Sequence, residues 1–259
     1  MFPTLQIGPL AIQTPGLILL LAFYVGLTLS ERFLRSVSAS SGPEAGRGLE
    51  GLFPPPEALY ALVTDALLAG VVGGRLIYVA RYPQAFLQNP LSLFSLNPGL
   101  FDLWGGLAVA AVVALIYGQR KGLAFWPTLD ALTPFFATLA VGIALAHLAS
   151  GGAFGKPTDL PWGVELWGAR RHPSQVYEAV AALGILGYVW WWGRGVAPSG
   201  VLFLRFVALT AGARLFLEAF RGDSILLAGG LRLAQVLAWL VLAIALAGLE
   251  YLHQREETK

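Results

Sequence analysis

Seven apolar runs divide the chain, at about 15–31, 57–80, 103–118, 128–149, 175–193, 199–220 and 229–251. A helix needs about 20 mostly apolar residues to cross the hydrocarbon of a bilayer, and only the third run is short by that measure. The pattern predicts an all-α polytopic membrane protein with about seven transmembrane helices, built as a single integral membrane domain over residues 1–259. Extramembrane segments fall at about 32–56, 81–102 and 150–174. The first holds Ser38-Ala39-Ser40-Ser41-Gly42-Pro43 and Pro54-Pro55-Pro56, the second is punctuated by Pro83, Pro90 and Pro98, and the third is rich in Gly, Pro and polar groups. Trp190-Trp191-Trp192 closes the fifth run, where an aromatic belt belongs. The first run is too long, and lacks the basic lead, for a cleaved signal peptide.

Composition sharpens this picture. Hydrophobic residues make up 56% of the chain and charged residues 12%, about half the usual share in soluble domains. Such a chain cannot cover a water-facing surface. The net charge of +2 comes from scattered arginines with no basic cluster, which argues against nucleic-acid binding. Cysteine is absent, so no disulfide, thiolate metal site or cysteine nucleophile lies within the chain. Neither a metal nor a cofactor is called for. Basic residues between the runs orient it. With the N-terminus outside, Arg32, Arg35, Arg47, Arg120, Lys121, Arg194, Arg255 and Lys259 lie inside, against Arg81, Lys156, Arg170, Arg171 and Arg221 outside. This bias favours an outside N-terminus and a cytoplasmic C-terminus, with the 81–102 and 150–174 segments forming an outward-facing head.

Ionisable groups inside the runs carry the chemical information, since a central charge costs about 2.5–3.5 kcal/mol on insertion scales. Asp65, Arg75, His147, Arg205, Arg214 and Glu218 each need a reason. Arg205 is explained by snorkelling to the inner interface. Arg214, Glu218 and Arg221 follow one another at spacings of four and three, on one helix face. Glu218 there orients both guanidiniums, whose forked donors suit phosphate as a lysine does not. The alternative is an Arg-Glu-Arg network serving structure alone.

A second cluster runs from Gly155-Lys156-Pro157-Thr158-Asp159-Leu160-Pro161-Trp162 to Arg171-His172-Pro173-Ser174-Gln175-Val176-Tyr177-Glu178. Ser174 reads as an N-cap with Glu178 just inside the helix. Capping leaves His172, Gln175 and Tyr177 unexplained.

These segments resemble the prolipoprotein diacylglyceryl transferase family along nearly the whole chain. Gly73-Gly74-Arg75-Leu76-Ile77-Tyr78-Val79 resembles the family's Gly-Ala-Arg-Leu-Gly-Tyr-Val. Asn89-Pro90-Leu91 and Gly105-Gly106-Leu107 follow in order, and Gly155 to Trp162 is similar to Gly-Arg-Pro-Thr-Asp-Leu-Pro-Trp. Arg171 to Ala179 follows Arg-His-Pro-Ser-Gln-Leu-Tyr-Glu-Ala, and Arg214 to Arg221 fits Arg-Phe-x-x-Glu-x-x-Arg. The departures fall on the family's functional positions. Its His-Gly-Gly is Trp104-Gly105-Gly106. Its essential arginine falls on Ala144, its asparagine on His147 and its glutamate on Gly152. One tyrosine falls on Pro15 and another on Thr210.

The resemblance implies a bacterial inner-membrane enzyme that moves the diacylglyceryl group of phosphatidylglycerol to the lipobox cysteine of a prelipoprotein. Its partners are then a phosphatidylglycerol-like phospholipid and a prelipoprotein signal peptide. The catalytic set is Arg214, Glu218 and His147, the last as a base replacing the missing histidine. Arg75, Arg221, His172, Gln175, Tyr177, Gly105 and Gly106 are the substrate-binding set. The alternative is a divergent paralogue that binds or modifies another membrane glycerolipid without lipoprotein transfer. A channel or transporter is disfavoured by the lack of inverted repeats and paired broken helices.

Overall fold

The structure is a computed structural model that describes residues 4–7, 10–40, 53–95, 97–193 and 198–257. Ser41-Gly42-Pro43 and the basic residues Arg47, Arg194 and Lys259 lie outside the described residues. The chain is mostly helical. Each apolar run is a helix: α1 Thr14–Ser40, α2 Pro56–Arg81, α4 Leu103–Arg120, α5 Phe125–Ser150, α6 Ser174–Trp192, α7 Val201–Leu217 and α8 Leu233–Glu257. Five of these, α1, α2, α4, α5 and α8, are long and apolar enough to cross a membrane. Their outward faces carry large apolar side chains such as Leu21, Tyr24, Leu68, Trp239 and Ile244, all more than half exposed. Apolar surface of that extent marks a membrane-facing or partner-facing protein, and the length of the helices marks the former. The chain is a multi-pass helical membrane protein.

Several local features depart from the expected pattern. α1 does not stop near residue 31 but continues to Ser40, carrying the Glu31–Arg35 ion pair on its exterior. The 81–102 segment is a short helix α3, Pro83–Gln88, and two 3-10 turns, Pro90–Phe94 and Pro98–Leu100. A proline opens each of the three, where its missing N–H costs nothing. Two hairpins break the all-helical expectation: β1 Thr4–Ile7 with β2 Leu10–Gln13, and β3 Val164–Leu166 with β4 Ala169–Arg171. The second turns at Trp167 and Gly168, both at positive φ (54° and 75°), as a two-residue turn between twisted antiparallel strands requires.

The chain divides into two compact units, residues 51–128 and residues 1–50 with 129–259. In the first, α2 and α4 cross through glycines. A Cβ on Gly106 would lie 2.8 Å from the Gly70 carbonyl oxygen, and one on Gly74 would lie 2.9 Å from the Asp102 carbonyl oxygen. Small residues allow this backbone approach, and packing of this kind holds helices together in lipid. Asp102 caps α4 by accepting from the Gly105 N–H at 2.7 Å, and its own N–H donates to the Gly74 carbonyl at 3.0 Å.

In the larger unit, Pro134 sits inside α5, and the N–H of the adjacent Phe135 donates to the buried Ser30 hydroxyl of α1 at 3.1 Å. A foreign side chain thus occupies the stretch where a proline interrupts the helical ladder. Buried Asp130 of α5 reaches the start of α7, where its two oxygens accept from the N–H groups of Gly200 and Phe203. It caps that helix from 70 residues away in sequence.

Candidate functional site

The polar end of α6 gathers charged groups from three elements of the larger unit. Glu178, one turn into α6, stands at the centre. Its Oε1 accepts from Arg214 Nη1 at 3.0 Å and from Arg221 Nη1 at 2.8 Å. Its Oε2 lies 3.3 Å from His147 Nδ1, which comes from the last turn of α5. Glu218 reaches the same two arginines, Arg214 at 2.9 Å and Arg221 at 3.8 Å. Glu218 itself lies just beyond α7, in a 3-10 turn Glu218–Phe220 that tightens the helix end. The spacing of four and three therefore does unite Arg214, Glu218 and Arg221.

The two arginines are differently committed. Arg221 is 11% exposed. Its Nε and Nη2 clasp the carboxylate of Asp223 at 2.9 and 2.8 Å while Nη1 serves Glu178. Burial pulls the Arg221 guanidinium down, but Asp223 and Glu178 outweigh it and raise its affinity for the proton above the ordinary value. Arg214 is 37% exposed; its Nη1 donates to Glu178, and its Nη2 faces Glu218 Oε2 at 2.9 Å as an ion pair without hydrogen-bond geometry. A guanidinium has five N–H donors, so three of those on Arg214 remain for a ligand. Arg232, at the foot of α8, donates from Nη1 to the carbonyls of Glu218 and Arg221 and to the Ser224 hydroxyl. That clip fixes the turn on which Glu218 and Arg221 ride.

His147 is half-exposed and presents Nδ1 to a carboxylate. When the ring is neutral this contact favours the proton on Nδ1, which leaves Nε2 as an acceptor. The arrangement is that of a base held by a carboxylate. The ion-paired groups of the cluster are Arg214 and Arg221 with Glu178, Glu218 and Asp223, and Arg232 adds a third guanidinium behind the turn.

The His172 segment frames the cluster. Ser174 is not an N-cap. It is the first residue of α6, and its hydroxyl donates to the Ala153 carbonyl at 2.6 Å. Gln175, 1% exposed, donates to the Gly152 carbonyl at 2.8 Å. Together these bonds seat the start of α6 on the 151–155 loop, where Gly151 and Ala153 have positive φ. The rings of His172, Tyr177 and Phe220 pack edge to face around one another, and the Tyr177 hydroxyl accepts from Trp162 Nε1 at 2.8 Å. His172 Nδ1 and Gln175 Oε1 are buried and have no partner among the described residues.

Arg75, Gly105 and Gly106 belong to the other unit. Arg75 is 8% exposed. Its Nη1 donates to the Leu100 carbonyl at 2.7 Å and its Nε to Leu93 at 3.2 Å, while Nη2 bonds the Ser92 carbonyl. Phe86 and Phe101 cover its faces. It thereby ties down the whole 83–101 segment. Gly105 and Gly106 serve the α2–α4 crossing, and Trp104 beside them is 78% exposed. Of the departures noted in the sequence, Ala144 is buried and Gly152 lends its carbonyl to Gln175.

Glu178 was missed as a site residue because a role at a helix start accounted for it. The signal was its place inside the fifth apolar run, where any ionisable group invites a functional reading. Asp223 and Arg232 lay in no recognised motif.

Comparison with known proteins agrees with the motifs. The family described as prolipoprotein diacylglyceryl transferase matches residues 3–251. A Bordetella parapertussis protein named phosphatidylglycerol–prolipoprotein diacylglyceryl transferase is 33% identical over 254 residues, covering 94% of this chain and 91% of its own. Its namesake from Bordetella avium is 34% identical over 257 residues, covering 95% and 90%. One from Nostoc is 27% identical over 270 residues, covering 97% and 89%. The extent of the family match, with relatives at this identity over nearly full length, establishes that the chain belongs to the prolipoprotein diacylglyceryl transferase family.

Proposed function

We propose that this protein transfers the diacylglyceryl group of phosphatidylglycerol to the lipobox cysteine of prelipoproteins, working at the Glu178-centred cluster. Family membership supports the reaction, and one observation supports the place: a half-exposed Arg214 with three uncommitted donors beside a carboxylate-held His147. In the proposed step His147 Nε2 takes the thiol proton. The thiolate sulfur attacks the glycerol carbon that bears the phosphate and forms a thioether. The carbon–oxygen bond breaks, its electron pair goes to the phosphate oxygen, and glycerol phosphate leaves. Arg214 receives the growing phosphate charge through a preorganised fork. Glu178 and Glu218 hold that fork, and Arg221 holds Glu178. Gln175, His172 and Tyr177 shape the wall beside the acceptor peptide. In the other unit Arg75, Gly105 and Gly106 serve substrate by fixing the 83–101 segment and the helix crossing beneath it.

The same reading makes residues 1–259 one membrane domain of seven spans in the bacterial cytoplasmic membrane. α6 and α7 enter as short spans, since at 1.5 Å per residue they measure about 28 and 26 Å against about 30 Å of hydrocarbon, and the 3-10 turn after α7 makes up its shortfall. The N-terminus lies outside, the C-terminus inside, and the 81–102 and 150–174 segments form the outward head. Reporter fusions after Gly122 and after Lys259 both read cytoplasm under this arrangement, and a periplasmic signal from either contradicts it.

The alternative, a paralogue acting on another glycerolipid, draws on two departures: Trp104 stands where the family pattern has a histidine, and Ala144 where it has an arginine. Incubation of the purified protein with phosphatidylglycerol vesicles and a lipobox peptide decides between them. The transferase reading expects a peptide heavier by one diacylglyceryl group, a sharp loss in His147→Asn, and rescue of a strain depleted of its own transferase. An unmodified peptide and no rescue favour the paralogue.

A further inference from the structure

At the far end of the α7–α8 pair lies a half-open cleft of about 560 Å³, lined by Pro198, Val201, Arg205, Leu246, Leu249, Glu250 and His253. Arg205 and Arg214 are nine residues apart on α7, so the cleft lies about 13 Å along the helix axis from the Glu178 cluster. Nothing in the proposed reaction uses it. Arg205 stands one turn inside α7, is exposed, and has no hydrogen-bond or ion-pair partner among the described residues. Glu250 shares the cleft without bridging to it, and its Oε1 accepts from Gln254 at 2.9 Å.

A guanidinium at this depth of a span calls for a partner, because charge is costly in hydrocarbon. Water at the interface is one answer, reached by snorkelling. The shape of the cleft suggests a better one. Its lining brings together a cation, Arg205, an anion, Glu250, and His253 with apolar walls, one turn inside α7 and two turns before the end of α8. A purely anionic headgroup on Arg205 would meet repulsion from Glu250. A headgroup with a phosphate followed by an ammonium matches both charges, and Val201, Leu246 and Leu249 then line the glycerol and first acyl carbons. We infer that this cleft binds a zwitterionic glycerophospholipid of the phosphoethanolamine type, phosphate on Arg205 and ammonium on Glu250. It sits in the leaflet opposite the transferase cluster and holds the α7–α8 end at its depth.

The test is native mass spectrometry of the full chain in micelles with added phosphatidylethanolamine or phosphatidylglycerol. The wild type is compared with Arg205→Gln, Glu250→Gln and the cleft-filling Leu249→Trp. All three leave the Arg214 cluster intact, so differences from wild type read the cleft even if the transferase reading fails. Arg205→Gln is expected to lower lipid occupancy about tenfold, the worth of one charge-assisted hydrogen bond. Glu250→Gln abolishes the preference for phosphatidylethanolamine, and Leu249→Trp displaces the lipid with every charge retained. Unchanged occupancy in Arg205→Gln overturns the inference. So does a preference that survives Glu250→Gln. Should Arg205→Gln fail to fold, Glu250→Gln and Leu249→Trp decide, and a lipid that stays bound in Leu249→Trp rejects the site.

Discussion

Glu178→Gln is the sharpest test of the charged cluster, because one carboxylate there serves three partners. Glutamine keeps the shape and one acceptor oxygen but loses the charge and presents an amide to His147 or to an arginine. The Arg221 contact is shielded, with both side chains under 15% exposed. Leaving a buried guanidinium without its counter-charge costs about 3–5 kcal/mol, of which a retained neutral hydrogen bond recovers about 1 kcal/mol. The contacts to Arg214 and His147 are a third exposed and add at most about 1 kcal/mol each after solvent screening. Asp223 still clasps Arg221, which trims the first figure further. The Arg221 share of this cost falls on stability and lowers the melting temperature, while the Arg214 and His147 shares, together at most about 2 kcal/mol, translate to a fall in kcat/KM of up to about 30-fold. The assay is diacylglyceryl transfer to a fluorescent lipobox peptide in phosphatidylglycerol vesicles, with a melting curve from tryptophan emission alongside. A folded Glu178→Gln protein within about threefold of wild type refutes the idea that this carboxylate organises the reacting groups.

Arg214→Lys keeps the charge but cannot bridge two glutamates and still offer a fork, so kcat/KM should fall at least about tenfold with little change in melting temperature; equal activity would remove Arg214 from phosphate binding. Gly106→Val forces apart two helices that meet at backbone distance, and should cost about 1–3 kcal/mol or prevent folding, whereas Gly118→Ala on the same helix has open space around it and should not lower the melting temperature. Asp130→Asn replaces an acceptor with a donor at the start of α7. It should lower the melting temperature by about 2–8 °C, the range of a lost helix cap in a chain of this size, while transfer activity below the transition is retained.

The spanning helices were legible because their apolar runs are long, and length is what hydrocarbon demands of any crossing. Their ends were not. α1 continues past Glu31 because Phe33, Leu34 and Val37 keep the helical spacing and are buried in the core, while Arg32 and Arg35 lie on the exposed face, so the charges there change the face of the helix and do not stop it. The β3–β4 hairpin is three residues a side, too short for alternation to register. Its one cue, Gly168 in the turn, was hidden among other glycines. Arg214, Glu218 and Arg221 could be joined from sequence because helical periodicity is local. Glu178, Asp223 and Asp130 could not, since their partners come from elements tens of residues away or from a turn without a motif. The resemblance located the His172 segment, but only the fold reveals that its hydroxyl and amide groups bind loop carbonyls.

The larger unit is assembled from two pieces of the chain, and this orders events during synthesis. Ser30 emerges 105 residues before the Phe135 N–H that it receives. At roughly 5–20 residues per second, α1 waits about 5–20 seconds in the membrane while the whole of residues 51–128 is made. In that interval the face of α1 that α5 will cover, with Gly26 and Ser30, is without that cover. α1 thus docks on α5 only after the whole 51–128 unit has been made, and a substitution at Gly26 or Ser30 acts on that docking well after α1 itself has been inserted.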